Sequence, residues 1–137
     1  MLHETEFHLQ DERRIIDAVC NKWRCEAVKT SKAYPVDFML VRDKIPQAFA
    51  EVRKRNISRH EWPTFIWSLQ KYIHVKQFAQ FLPTFLIVEW NEGITWCKLT
   101  YGNYDLIYID RTGKTGRTSA DNEPCIQIPL TEFKQLN

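Results

Sequence analysis

The chain has 137 residues, 44% of them hydrophobic and 26% charged, with 19 Lys and Arg against 17 Asp and Glu. That length suits one domain with a real core, and the composition is that of a globular protein, which excludes fibrous and disordered classes. No apolar run approaches the ~20 residues needed to span a bilayer.

Residues 1–6, Met-Leu-His-Glu-Thr-Glu, lack the basic and apolar regions of a signal peptide, so the expectation is a cytoplasmic protein with no membrane partner. Residues 1–82 hold 14 Lys and Arg against 10 Asp and Glu, and residues 83–137 hold 5 against 7. A basic N-terminal part is compatible with a phosphate-bearing partner, and equally with ordinary solvated surface. Cys20, Cys25, Cys97 and Cys125 form no Cys-x-x-Cys pair and are expected as reduced, mostly buried thiols. With His3, His8, His60 and His74 they make no zinc spacing either.

Residues 6–23 carry a helical pattern: Ile16, Val19 and Trp23 recur at spacings of three and four, flanked by Ile15 and Cys20. Glu12 lies one turn before Ile16 on the same side. It is either a flank glutamate paired with a basic neighbour or an acid directed into a site. Residues 25–31 predict a first strand, and the turn that follows ends at Pro35, which biases Tyr34 towards an extended backbone.

Residues 34–56 predict a β-hairpin with its turn centred on Lys44. Asp37 then faces Glu51, Met39 faces Phe49 and Val41 faces Gln47, all on one side of the sheet. The other side collects Val36, Phe38, Leu40, Ala48, Ala50 and Val52, which must be buried. Asp37 and Glu51 become cross-strand neighbours about 5 Å apart at their β-carbons. Like charges so placed destabilise a sheet unless a cation lies between them.

After Asn56, Ser58 and Glu61 have capping-box spacing, but Pro63 moves the predicted helix start to residues 62–63. Ile66, Leu69 and Ile73 mark its apolar face, with Phe65 and Tyr72 beside it and Ser68, Gln70 and Lys71 off its centre. A less regular helical turn is expected over 75–81, ending at Pro83. Residues 84–90 are the strongest strand, apolar on both faces. Asn91-Glu92-Gly93 is a turn signal, and 94–101 should return antiparallel. Residues 106–109 predict a strand, 111–123 a polar loop, 124–129 a last edge strand and 130–136 a terminal turn or short helix. Gly113-Lys114-Thr115 resembles the end of a P-loop, but the required earlier glycine is Tyr108, which dismisses it.

Two cross-strand carboxylates with a backbone carbonyl between them make an oxygen-rich site for a hard divalent cation, which would resolve the repulsion. A positive side chain two residues after Glu51 shares its face, and Arg53 is there. In this order — helix, three strands, helix, strand, with Asp37 in the second strand and Glu51-Val52-Arg53 in the third — the chain resembles the PD-(D/E)xK nuclease superfamily. It looks most like its small phage or bacterial members, restriction-endonuclease-like or resolvase-like.

The resemblance covers roughly residues 6–100. It implies an α+β or α/β restriction-endonuclease-like core, with residues 101–137 as a C-terminal β extension of a single domain, 1–137. It implies a Mg2+- or Mn2+-dependent nuclease hydrolysing DNA phosphodiester bonds. Asp37, Glu51 and the Val52 carbonyl would bind metal, and Glu12, Arg53 and Lys71 would complete the catalytic set. Lys29, Lys32, Lys54, Arg55 and Arg59 are the candidates to grip DNA, with Tyr34, Ser68 and Gln70 as auxiliaries. A homodimer through the C-terminal strands is left open.

Arg53 departs from the lysine of the motif. Arginine stays protonated and contacts phosphate bidentately, but it is a poor proton shuttle. Lys54 falls on the opposite face of a regular strand, so Lys71 is the better source of an ammonium. A catalytically weakened nuclease-fold module that binds DNA or protein is the alternative.

Overall fold

A computed structural model describes residues 6–99, 104–110 and 122–137. The elements are α1 (Glu6–Trp23), β1 (Glu26–Lys29), β2 (Phe38–Arg42), β3 (Ile45–Lys54), β4 (Thr64–Ser68), α2 (Leu69–Lys76), β5 (Thr84–Trp90), β6 (Gly93–Lys98), β7 (Asp105–Asp110), β8 (Asn122–Pro129) and β9 (Lys134–Gln135), the expected order except for the strands β4 and β9. A 3-10 turn, Gln77–Gln80, extends α2, where the sequence predicts irregular helix. Most of the predicted loop 111–123, with Gly113-Lys114-Thr115, lies outside the described residues, as does the end of the strand predicted over 94–101. Among the described residues no helix is long and apolar enough to cross a membrane.

A six-stranded sheet runs β1-β2-β3-β5-β6-β9, and a second sheet runs β4-β8-β7. β3 and β5 are parallel, and the other pairings within the two sheets are antiparallel. On one face of the large sheet, Ile15, Ile16, Val19 and Cys20 of α1 pack on Phe38, Leu40, Ala48, Ala50, Val52 and Ile87. Each fully buried aliphatic side chain there contributes roughly 1.5–3 kcal/mol. On the other face, Leu86, Val88, Trp90 and Cys97 pack against Tyr72 and Val75 of α2 and Phe65, Trp67, Ile126 and Ile128 of the small sheet.

The hairpin turn differs from expectation in an instructive way. Asp43 and Lys44 both have positive φ, 52° and 66°, so this is a two-residue turn between Arg42 and Ile45. Such a turn alone pairs Val41 with Pro46, not with Gln47, and would put Asp37 and Glu51 on opposite faces. A register shift after Leu40 accommodates Gln47 as the extra residue and restores Leu40↔Ala48, Met39↔Phe49 and Phe38↔Ala50. The bulge therefore returns the two carboxylates to one side.

Three further expectations need correction. Residues 64–68 are strand, not the first turns of a helix: Phe65 and Trp67 point inward while Ile66 is exposed, a period of two. The β-branched and aromatic run Thr-Phe-Ile-Trp is strand chemistry, and pairing with β8 decided it. The strand expected at an edge, β8, is central in the small sheet. Val36 is buried, but among the side chains beneath α2 and not beside Phe38. It precedes β2, so no ladder imposes strict alternation on it. The Thr30 hydroxyl holds this stretch by donating to the carbonyls of Val36 and Asp37.

Candidate active site

β3 carries Glu51 and Arg53 on the face turned towards α2 and the small sheet, beside Leu86 and Val88 of β5. Glu51 is completely buried, as are Thr84 and Thr95, but neither threonine carries a charge. Its Oε2 accepts from Arg53 Nη2 at 2.6 Å and lies 3.1 Å from Lys71 Nζ. Its Oε1 is buried and has no hydrogen-bond partner among the described residues. Burial pushes the carboxyl up to about 7; Arg53 and Lys71 oppose that rise, and the charge on Asp37 adds to it.

Asp37 stands just before β2, where Phe38↔Ala50 pairing directs it at the segment after Ala50. Its Oδ2 accepts from the Val52 amide at 2.9 Å and lies 3.5 Å from Arg53 Nη1. The same Nη1 donates to the Val52 carbonyl at 2.7 Å. The Arg53 guanidinium thus touches or approaches all three oxygen groups of the suspected ligand set. It also lies over the Trp67 ring, 5.9 Å from its centroid.

Lys71 owes its position to a short, well-defined helix start. Ser68 caps α2 by accepting from the Lys71 amide at 3.4 Å. A lysine in a first turn meets the positive end of the helix dipole, an unfavourable place for it. Partners across the gap explain it: Nζ donates to the Pro35 carbonyl at 2.8 Å and sits beside Glu51. Lys71 therefore links the stretch leading into Asp37 to the buried carboxylate.

The remaining candidates are spread around this cluster. Glu12 forms an ion pair with Lys29, and Lys29 lies over Phe38, the residue after Asp37. Lys54 points to the opposite face and pairs with Asp11 of α1. Arg55 packs 4.7 Å from the centroid of Phe65, and burial together with Arg53 pulls its guanidinium below its usual range. The Arg59 amide donates to Glu92. Lys32 and Tyr34 line an open groove of ≈ 430 Å³ that Lys71 also borders, and Gln70 is exposed on α2.

Sequence reading missed Trp67, His74 and Gln77. Trp67 became visible only once 64–68 was a strand; His74 and Gln77 share the groove with Lys71 through helical spacings of three.

The donors suit a hard divalent cation: they are oxygens, and one carboxylate oxygen is buried without a partner. Among the described residues no three His, Cys, Asp or Glu side chains gather. A cation there would rest on Asp37, Glu51, the Val52 carbonyl and water, and would have to displace the Arg53 guanidinium from them.

Comparison with known proteins adds three findings. The profile of the family described as "Phage putative PDDEXK endonuclease" matches residues 2–136. Among solved structures, Hjc, a Holliday junction resolvase from the archaeal hyperthermophile Archaeoglobus fulgidus, superposes with a TM-score of 0.52. The alignment covers 88% of this chain and 95% of that one at 12% identity, a likeness of fold. No curated protein matches the chain significantly.

Proposed function

The chain belongs to the phage PDDEXK endonuclease family, with a restriction-endonuclease-like fold, and from that premise we propose a metal-dependent nuclease that hydrolyses DNA phosphodiester bonds. Asp37, Glu51 and the Val52 carbonyl hold Mg2+ or Mn2+ in this reading. The observation that carries it is Glu51, a fully buried carboxylate with an unsatisfied oxygen, set beside Asp37 and two cationic side chains. A structural role alone would leave that oxygen's desolvation uncompensated, at a cost of ~1–3 kcal/mol.

A divalent cation at this place supplies Lewis acidity to a phosphoryl oxygen and acidifies bound water. The chain's own groups then have separate tasks. Lys71, anchored on Pro35, holds an ammonium at Glu51 Oε2 and would orient the attacking water. Arg53, released from Glu51 and the Val52 carbonyl, is a fork suited to the developing charge on phosphate. Water adds to phosphorus and gives up a proton to solvent, the P–O bond to one sugar breaks, and the departing alkoxide takes up a proton from solvent. Lys32 and Arg59 would meet the backbone in this reading, whereas Lys54, Arg55 and Lys29 are engaged within the fold, Lys29 with Glu12 and over Phe38. Residues 1–137 act as a single nuclease domain in this reading.

The alternative, a nuclease fold retained for binding, is favoured by one observation: Arg53 occupies the motif's lysine position and already engages the suspected ligands. Cleavage of duplex, single-stranded and branched DNA with Mg2+ or Mn2+ distinguishes the two. Wild type should cut and Asp37→Ala should not; equal inertness of both with every divalent metal favours the binding module.

A further inference from the structure

The groove beside the cluster is not explained by holding a metal. Lys32, Tyr34, Pro35, Lys71, His74 and Gln77 line it, and among the described residues none of its lining is acidic. Its volume, ≈ 430 Å³, is near the lower end for small-ligand pockets, which admits one nucleotide and not a duplex. Lys71 and Pro35 are shared: the contact that seats Lys71 on Pro35 forms a wall of the groove, and the same Nζ reaches Glu51. Whatever enters therefore lies next to the buried carboxylate.

Tyr34 gives the groove its apolar element. It is 54% exposed, yet its position is set from behind. Its ring leans on Phe78 at 6.1 Å between centroids, and Phe78 packs edge-on against Phe49 of β3 at 4.9 Å. Its amide donates to Ser31 in the turn. An exposed aromatic ring on a fixed rack, beside two lysines and a histidine, combines a stacking platform with phosphate-binding groups. A base inside a duplex is stacked on its neighbours and has no face to offer such a ring; an unstacked base has one.

We propose that this groove seats one unstacked nucleotide of a DNA strand, its base against Tyr34 and its phosphate met by Lys32 and His74. The inference rests on the nuclease reading for its choice of DNA. It makes the preferred substrate one with a local single-stranded element, with the adjoining phosphodiester presented at Glu51 by way of Lys71.

The test is binding in EDTA, where cleavage plays no part. Fluorescence anisotropy would compare a fully paired duplex with the same duplex carrying a short flap, and a 2-aminopurine in the flap would report stacking. Wild type should prefer the flap and quench the 2-aminopurine. Tyr34→Ala should reduce that preference about tenfold and abolish quenching, while Tyr34→Phe retains both. Lys32→Ala and His74→Ala should weaken flap binding while quenching persists at saturation. A wild type that binds neither DNA, or binds both equally, overturns the proposal, as does an unchanged preference in Tyr34→Ala. Nuclease activity is judged separately by the Asp37→Ala cleavage comparison, so active enzyme with no Tyr34 effect sinks only the groove. A Tyr34-dependent preference in an inert protein sinks only the nuclease reading.

Discussion

Each face of the large sheet carries one cluster of two acids and two bases near its centre, and the two clusters behave oppositely. On the α1 side, Arg14 grips both oxygens of Glu89 at 2.7 and 2.8 Å and reaches Asp11 at 3.0 Å, with Lys54 nearby. The Arg14 hydrogen bonds hold the Glu89 carboxyl below its usual range. On the α2 side, Arg53 and Lys71 share one oxygen of Glu51, the other has no partner, and burial lifts the carboxyl to about 7. The charge inventories match. What differs is water and geometry: a partly solvated carboxylate with a bidentate partner is settled, while a buried one served on one side still has an unmet need.

The largest separation should appear in catalysis. Asp37→Ala and Glu51→Gln are each expected to lower cleavage about a thousandfold or more, the several kcal/mol at stake in metal-assisted hydrolysis. Glu89→Gln on the other face should leave the rate within about twofold. A comparable loss from Glu89→Gln would mean that the two clusters are not functionally distinct.

Stability against pH should separate them next, and with opposite signs. In metal-free buffer the unfolded chain releases the Glu51 proton near 4.5, while the folded chain keeps it until about 7. Across that window the folded state binds more protons, so stability falls as pH rises and levels off above 7. Glu51→Gln should therefore gain on wild type over the same window, by up to about 3 kcal/mol in urea unfolding at pH 8. Glu89 runs the other way: its lowered carboxyl contributes stability above 4.5 that disappears as pH falls through its folded value. A Glu51→Gln advantage that does not grow between pH 5 and 7 would contradict the burial account.

Arg53 offers a finer cut. Since its guanidinium engages Glu51 and the Val52 carbonyl, Arg53→Ala should bind Mn2+ about tenfold more tightly by calorimetry, even as cleavage drops. Unchanged or weaker Mn2+ binding would show that the guanidinium does not compete with metal. The smallest effect is expected from Arg14→Ala, whose half-exposed ion pair should be worth under about 1 kcal/mol and fade with salt in thermal melts.

Much of this was legible in the sequence because the information was local. Apolar alternation placed Phe38, Leu40, Ala48, Ala50 and Val52 in the core, and all are buried. The pairing of Met39 with Phe49 was also readable, although through a turn and bulge different from those expected. Residues 64–68 were misread because a short apolar run, Phe65-Ile66-Trp67, fits a helix face or a buried strand equally well. Only the distant β8 ladder resolves that ambiguity. The groove could not be read at all, since Tyr34, Lys71 and His74 meet through the packing of α2 against the turn before β2.

Residue spacing by itself thus determined that Glu51 and Arg53 would share a face, because strand geometry repeats every two residues, whereas Asp37 joins them only through the bulge after Leu40. It also determined the family likeness, which depends on the order of elements and a short motif. The tertiary structure alone decided that Glu51 would be stripped of water, that Lys71 would reach it from another element, and that a basic, tyrosine-floored groove would open alongside. Burial depends on which surfaces are stacked together, and no local pattern specifies that.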